Sequence, residues 1–565
     1  MLECGSCKNK IISGSKFCSG CGSPAPAEPA DTASIIQAVT DTADTAETAE
    51  SQSFAKKKRG LKLPVTVAVT VAVITAVTLG VNHLGLWKSP AYDRVSDLAI
   101  FAGDEEVAVV YANGSTVKIE GEYYRNSSAI SMNGKKAAFL VDRDYDSRTG
   151  TLYYINGKIP IKVADDVHDF KLADSGDGLI YWQNHDERYN IADLLIFNGD
   201  SSALIHVDAV FWGYASDCAV ISPDGRTVFY TADLNDDETS TFISTNGGVG
   251  EEFHADVTPI AIADKAKHIY YVNKDGRFVV QNGIDANSDT RLSSEGAGYG
   301  FFLNKDYSQI VVNTGDAARI SIGGEDTLRI SPQMISEFVI PCGAQSKYDD
   351  HTGGYIYGFD DFKNKVFQTH DTGLYLIDKN YERGGRFTAH AQYVTMSSDE
   401  KRLFFMDSGR LRTVSATNTD SNVITLSGSA RNYAVGSGGY VYYVDSRNNL
   451  VRKKAAEDAE EVIVSENVYN DSLTSSSNGT VFFLTDYYYS RQEGTLYFTN
   501  GVSKHKVRDD VEEVLAVNSN VYYFTDSGGG FSDVYRSPAN GRFAKVVSDI
   551  RHLVDLSYGS RFTGA

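Results

Sequence analysis

Ten short apolar runs recur along the chain, beginning at Ala138, Leu179, Val228, Ile269, Ile310, Tyr355, Leu403, Val441, Val481 and Val521. Their starts are about 43 residues apart, the period of a four-stranded propeller blade. A unit of that length cannot bury both of its faces alone, so the pattern demands stacking of one sheet on the next. The runs are rich in Val, Tyr and Phe and are parted by Gly, Asn, Asp and Ser, the composition of strands and tight turns. With 34 Tyr and 27 Phe against 11 Pro and 5 Met, the chain favours pleated, half-buried surfaces. The best helical stretch, 452–464, lies between two strand runs and reads as a hairpin. Within one period, strands are predicted over 403–406, 410–415, 422–426 and 432–435. The expected fold class is all-β: a β-propeller array of about ten four-stranded blades over 95–558, as one large ring or two smaller propellers. The irregular stretch 341–354 is the expected seam between two rings, and a strand near 107–111 is expected to close the ring on the last blade.

The array matches itself at an offset of 344 residues without a gap. Phe139-Leu140-Val141-Asp142, Gly150-Thr151-Leu152-Tyr153 and Asp165-Asp166-Val167 correspond to Phe483-Leu484-Thr485-Asp486, Gly494-Thr495-Leu496-Tyr497 and Asp509-Asp510-Val511. Alternate runs follow a Ser-rich turn, as in Ser131-Met132-Asn133-Gly134, Ser222-Pro223-Asp224-Gly225 and Ser476-Ser477-Asn478-Gly479. There Asn-Gly or Asp-Gly supplies the positive φ of a tight turn. The other runs carry Tyr-Tyr-Val or Tyr-Tyr-Phe, so duplication copied a two-blade unit. The Ser-x-Asp-Gly turn entering an apolar strand resembles the propellers of the TolB and YncE type over most of 95–558. Trp-Asp dipeptides are missing and Trp182 and Trp212 are the only tryptophans there, so WD40 and tryptophan-docked quinoprotein propellers match poorly.

Four of the 6 cysteines fall in the first 21 residues, as Cys4-Gly5-Ser6-Cys7 and Cys18-Ser19-Gly20-Cys21. Two C-x-x-C turns bring four thiolates to one ion, and four ligands leave no open position for water. The expectation is a structural Zn²⁺ bound by Cys4, Cys7, Cys18 and Cys21 in a ribbon over 1–23, whose folding energy comes mostly from the metal. The segment resembles the short bacterial zinc ribbons, with Phe17-Cys18-x-x-Cys21-Gly22 as second knuckle, although Lys8 follows Cys7 where that pattern has Gly. The remaining cysteines, Cys218 and Cys342, leave a disulfide between them open.

Residues 24–55 are Ala, Thr and Pro rich, with six acids and no Lys or Arg, and are expected to form a disordered acidic linker. Residues 56–88 hold a basic flank, Lys56, Lys57, Lys58, Arg59 and Lys62, and then an uncharged run over 63–87. As a helix the run reaches roughly 37 Å, enough for the ~30 Å hydrocarbon core. It starts too far in and is too long for a cleaved signal peptide. The basic cluster places the amino terminus in the cytoplasm and the rest outside, where few cysteines remain. The formal net charge is −21; the part before the span carries about +1, so the exported part is strongly acidic and nucleic acid is an unlikely partner.

Zinc ribbon, linker, single span and exported propeller together resemble bacterial membrane-anchored envelope proteins of unassigned function, which implies binding more often than catalysis. No G-x-S-x-G elbow or H-E-x-x-H motif is present, and His168, His185 and His351 are scattered, so no catalytic or cofactor-binding residue is assigned. Asp142, Asp144 and Asp146 have the alternation of a Ca²⁺ loop, but Ser147 replaces its glycine and no bidentate acid falls at the twelfth position, so Ca²⁺ has little support. Tyr487, Tyr488 and Tyr489 can present stacking faces, and at least one of them must leave the core side of its strand. The expectation is a membrane-anchored, extracytoplasmic binding or sensing protein of the cell envelope. Its propeller would engage a cationic or neutral ligand or partner, and its ribbon an unknown cytoplasmic partner. An exported propeller hydrolase or lyase, and a scaffold of an envelope complex, are the alternatives. The expected site is the channel mouth, with long loops at 142–150, 233–241 and 487–494.

Overall fold

The computed structural model describes Leu2–Glu3, Lys10–Ile11 and, with short breaks, residues 98–556. Residues 88–565 form one compact unit. Its described residues are all-β apart from three short 3-10 turns. The strands assemble as successive antiparallel sets of four, of which Lys136–Val141, Gly150–Asn156 and Pro160–Val167, preceded by Tyr123–Ile130, are typical. These sets are propeller blades. Counting from the blade that contains Ala99–Ala102, there are eleven among the described residues. The third and fourth are joined into one eight-stranded sheet by a single bridge, Ala209 to Ala232.

The eleventh blade corrects the expected ten. The run at Leu98–Ala102 was not among the aligned runs, and the run at Tyr355 belongs to an inserted hairpin rather than to a blade's second strand, which is Val366–Thr369. The predicted strands around 403–435 are present as Arg402–Asp407, Arg410–Ser415, Ile424–Ser427 and Asn432–Val435, but the last opens the following blade. The stretch 452–464 is a hairpin edge, Leu450–Lys454 paired with Glu461–Ser465.

The second strand of each blade explains the apolar runs. In Val481–Tyr488 the first five residues are buried, so they face neighbours on both sides and cannot alternate. Each gap between consecutive blades holds its own apolar cluster: Ile100 and Val107 pack with Phe139 and Ile155, and Tyr442 with Phe483. The last gap is filled too, by Phe101 and Val110 against Tyr522, Phe524 and Val547. Fully burying one such side chain contributes about 1.5–3 kcal/mol. Packing also continues across 341–354, through Phe338 on one side and Val339 on the other, so that stretch is not a break between separate rings. Closure comes from His552–Leu556, which pairs with Ala99–Ala102; the strand expected to close the ring, near 107–111, lies one position further out.

The inserted hairpin, Ser346–Asp349 and Gly354–Tyr357, lays its second strand parallel to Phe301–Leu303, the first strand of the sixth blade. Gly354 is required there, because a Cβ would meet the Phe301 ring at 2.2 Å. The hairpin and the first strands of blades three to six line one small cavity. The cavity left among Lys171, Val220, Ile260, Phe301 and Ile356 is about 30 Å³. On the same side Tyr307 Oη donates to Asp174 Oδ2 at 2.6 Å, joining turns three blades apart.

At the amino terminus, Leu2–Glu3 and Lys10–Ile11 pair antiparallel. Cys4, Cys7, Cys18 and Cys21, the linker and the run 63–87 lie outside the described residues, as do Asp146, His351 and Cys342. Among the described residues no helix is long and apolar enough to cross a membrane.

Candidate functional site

The inserted hairpin lines a small cavity with the first strands of blades three to six, and the exposed tyrosines lie on a turn of blade ten. The two sister turns of the duplication match in backbone φ at three pairs of positions. Asp142 and Asp486 both have φ 52°, Arg148 and Gln492 have φ 55° and 56°, and Asp166 and Asp510 have φ 54° and 57°. Thr151 donates to Asp165 at 2.8 Å and Thr495 to Asp509 at 2.9 Å, while Lys162 and Lys506 pair with those same aspartates at 2.7 Å. A Cβ on Gly150 or Gly494 would meet the carbonyl of Val141 or Thr485 at 2.8 or 2.9 Å. Blades two and ten are thus one scaffold used twice.

On that scaffold the side chains differ. In blade ten Tyr487 lies flat on Tyr469, with ring centroids 3.9 Å apart and planes 7° from parallel. Tyr489 stands at right angles to both, 5.4 Å from Tyr487 and 5.7 Å from Tyr469. Tyr488 and Tyr489 are 64% and 76% exposed. Tyr469 comes from the connection ahead of the blade's first strand, and its N–H donates to the Leu484 carbonyl at 2.9 Å. Desolvation pushes its phenol up to about 12, with Asp471, Tyr487 and Tyr489 adding to it. Desolvation also raises the Tyr487 phenol, followed by Tyr489 and the carboxylates Glu512, Glu513 and Asp471. The Glu513 carboxyl is itself raised, first by desolvation and then by Glu512. Glu512 Oε2 accepts from the Ser532 hydroxyl at 2.8 Å. The nearby cation on the turn, Arg491, is paired with Glu493 at 3.3 Å.

In blade two, Arg143 and Asp144 occupy the positions of Tyr487 and Tyr488, and His168 that of Glu512. Two of the carboxylates read as possible Ca²⁺ ligands accept hydrogen bonds within the turn: Asp142 from the Glu122 N–H at 2.9 Å and Asp144 from the Ser147 N–H at 2.7 Å. Among the described residues no group of three or more His, Cys, Asp or Glu is placed to hold a metal. His168 and His185, read as scattered, meet with ring centroids 4.8 Å apart, and His185 packs on Phe211 at 4.7 Å. Desolvation, then His185 and the Arg143 guanidinium, bring His168 down from 6.5 to about 4. Of the three expected long loops, 233–241 is a hairpin whose strands, Thr227–Asn235 and Glu238–Thr245, leave two residues between them. Tyr469, Glu512 and the histidine contact escaped the sequence reading. A Tyr just ahead of a blade's first strand was the visible sign of the first.

No protein-family model matches the chain, and no curated protein does. Among solved structures it is similar to a eukaryotic initiation factor at 10% identity, over 65% of this chain and 96% of that one, with a TM-score of 0.38. It is similar to the tricorn protease at 12% identity, over 80% of this chain and 62% of that one, with a TM-score of 0.24. It is also similar to dipeptidyl peptidase 4 of Porphyromonas gingivalis at 9% identity, over 77% and 60%, with a TM-score of 0.33. The chain's own sheets define its class: an all-β protein built of propeller-type blades.

Proposed function

We propose that the chain is a membrane-anchored, extracytoplasmic binding or sensing protein of the cell envelope, with the propeller as ligand platform. In this reading residues 1–23 form a cytoplasmic zinc ribbon and 63–87 the single span. The observation that carries the binding role is the exposure of Tyr488, beside the exposed Tyr489, on a turn whose sister matches it in φ at three positions and has Asp144 in the place of Tyr488. An exposed ring that the scaffold does not require is kept for what it touches. A catalytic reading would rest on His168, His185 and Arg143, but His185 Nε2 is shut off from solvent, with no hydrogen-bond partner among the described residues. A proton-transfer group must reach its substrate, so this arrangement favours binding over hydrolysis. The test is a thermal-shift screen of envelope sugars, peptides and amines on the full chain and on Tyr488→Ala and Tyr489→Ala. A ligand that stabilises the parent and not the variants supports the proposal; a ligand insensitive to both substitutions moves the site elsewhere. Protease added to intact cells should remove the region after residue 90 and spare the ribbon, and Cys18→Ser should release the zinc.

A further inference from the structure

The corner made by Tyr469, Tyr487 and Tyr489 is both aromatic and anionic, and that combination narrows what it can hold. A stacked pair, half-buried against the core between blades ten and eleven, and an exposed third ring at right angles present π faces in two orientations. The negative face of a ring attracts a cation, and does so best when several rings share it. Around these rings stand Asp471, Glu512 and Glu513, while Arg491 is engaged by Glu493. A phosphate, carboxylate or acidic polymer would meet repulsion there. A neutral sugar would gain from the rings and nothing from the acids. An alkylammonium gains from both, and its methyl or methylene groups lose little water on reaching the rings.

The sister corner strengthens the case. At the positions of Tyr487, Tyr488 and Glu512 it has Arg143, Asp144 and His168, while the position of Tyr489 keeps a tyrosine, Tyr145, so matching turns carry different charges in blades two and ten. The charge at this corner is therefore not dictated by the turn.

We infer that the Tyr469, Tyr487 and Tyr489 corner, with Asp471 and Glu512 beside it, is a binding site for an alkylammonium cation, either a free quaternary amine or a lysine side chain of a peptide. This rests on the reading of the propeller as a binding platform. The test is calorimetric titration of the full chain, purified in a maltoside detergent, with choline, with N-acetyl-lysine methylamide and with 3,3-dimethylbutan-1-ol, the uncharged isostere of choline. At least one cation should bind saturably and the isostere at least about tenfold more weakly. Tyr489→Ala and Glu512→Gln should each weaken the cation by about tenfold, and Tyr489→Phe, which keeps the π face, should bind like the parent. Tyr489 is 76% exposed, so its truncation leaves the fold intact. Stronger binding of choline than of the lysine derivative assigns a free amine, and the reverse assigns a peptide. Equal binding of the isostere, or no binding of either cation while a screened ligand still depends on Tyr488 or Tyr489, overturns the cation and leaves the binding platform standing. If no ligand of any kind depends on these tyrosines, both readings fall.

Discussion

Burial holds the His168 imidazole neutral, with His185 and Arg143 adding to the effect, and His185 is also lowered, chiefly by burial, against the pull of Glu187 and Asp186. Unfolded, His168 takes a proton near pH 6.5; folded, it resists until about 4. Its contribution to stability is complete above 6.5 and is lost as the pH falls towards 4. The loss should be about 1–2 kcal/mol after solvent screening. Urea midpoints measured from pH 7 to 4 should therefore fall more steeply for the parent than for His168→Gln, and parallel curves would remove the imidazole from the explanation. Neither histidine announces this in the sequence. Their meeting depends on the strand pairing that sets the His168 N–H on the Trp182 carbonyl at 2.9 Å. Tyr488 and Tyr489 were legible, because three consecutive tyrosines on an alternating strand cannot all be buried. Their partner Tyr469 was not, since its place is fixed by a connection and not by periodicity.

The turns entering the second strands are the most legible elements, because their chemistry is local. Ser131, Ser222, Ser397 and Ser476 each donate to the Asn or Asp two residues on, at 2.6–2.9 Å. The glycine that follows has positive φ at Gly134, Gly225 and Gly479. Glu400 adopts φ 57° at the same place in its turn, so glycine there eases the conformation without being indispensable to it. What the sequence does not reveal is how closely neighbouring turns approach. A Cβ on Gly479 would lie 2.1 Å from the Ser437 nitrogen, whereas one on Gly276, also at positive φ, would meet nothing within 4 Å. Gly276→Ala should cost about 1 kcal/mol, the strain of φ alone, and Gly479→Ala about 3 kcal/mol or more. Equal costs in urea denaturation would mean that the ninth and tenth blades part freely at this turn. The second strand of the seventh blade was misplaced for a related reason: the Tyr355 run has a blade's composition, but its partner strand is the inner edge of the preceding sheet.

Across the whole region the period and the all-β character could be read from spacing alone, but the closure could not, because His552–Leu556 and Ala99–Ala102 lie at opposite ends of it. Removing residues 551–565 should uncover the edge of Ala99–Ala102, whose four residues are all buried in the closed ring. Hydrogen exchange should then speed up there and in Asn520–Gly528 across the same gap, with little change at Leu374–Ile377 on the far side. Uniform loss of protection would mean instead that the eleven blades unfold as one cooperative unit. The same pairing has a consequence for biogenesis. A ribosome working at about 5–20 residues per second needs roughly half a minute to a minute and a half between releasing the first strand of the region and the last. Throughout that interval Ala99-Ile100-Phe101-Ala102 is a fully apolar strand with an unmatched hydrogen-bonding edge, the kind of segment that recruits other chains. The first blade therefore cannot complete its sheet until the carboxyl-terminal strand arrives.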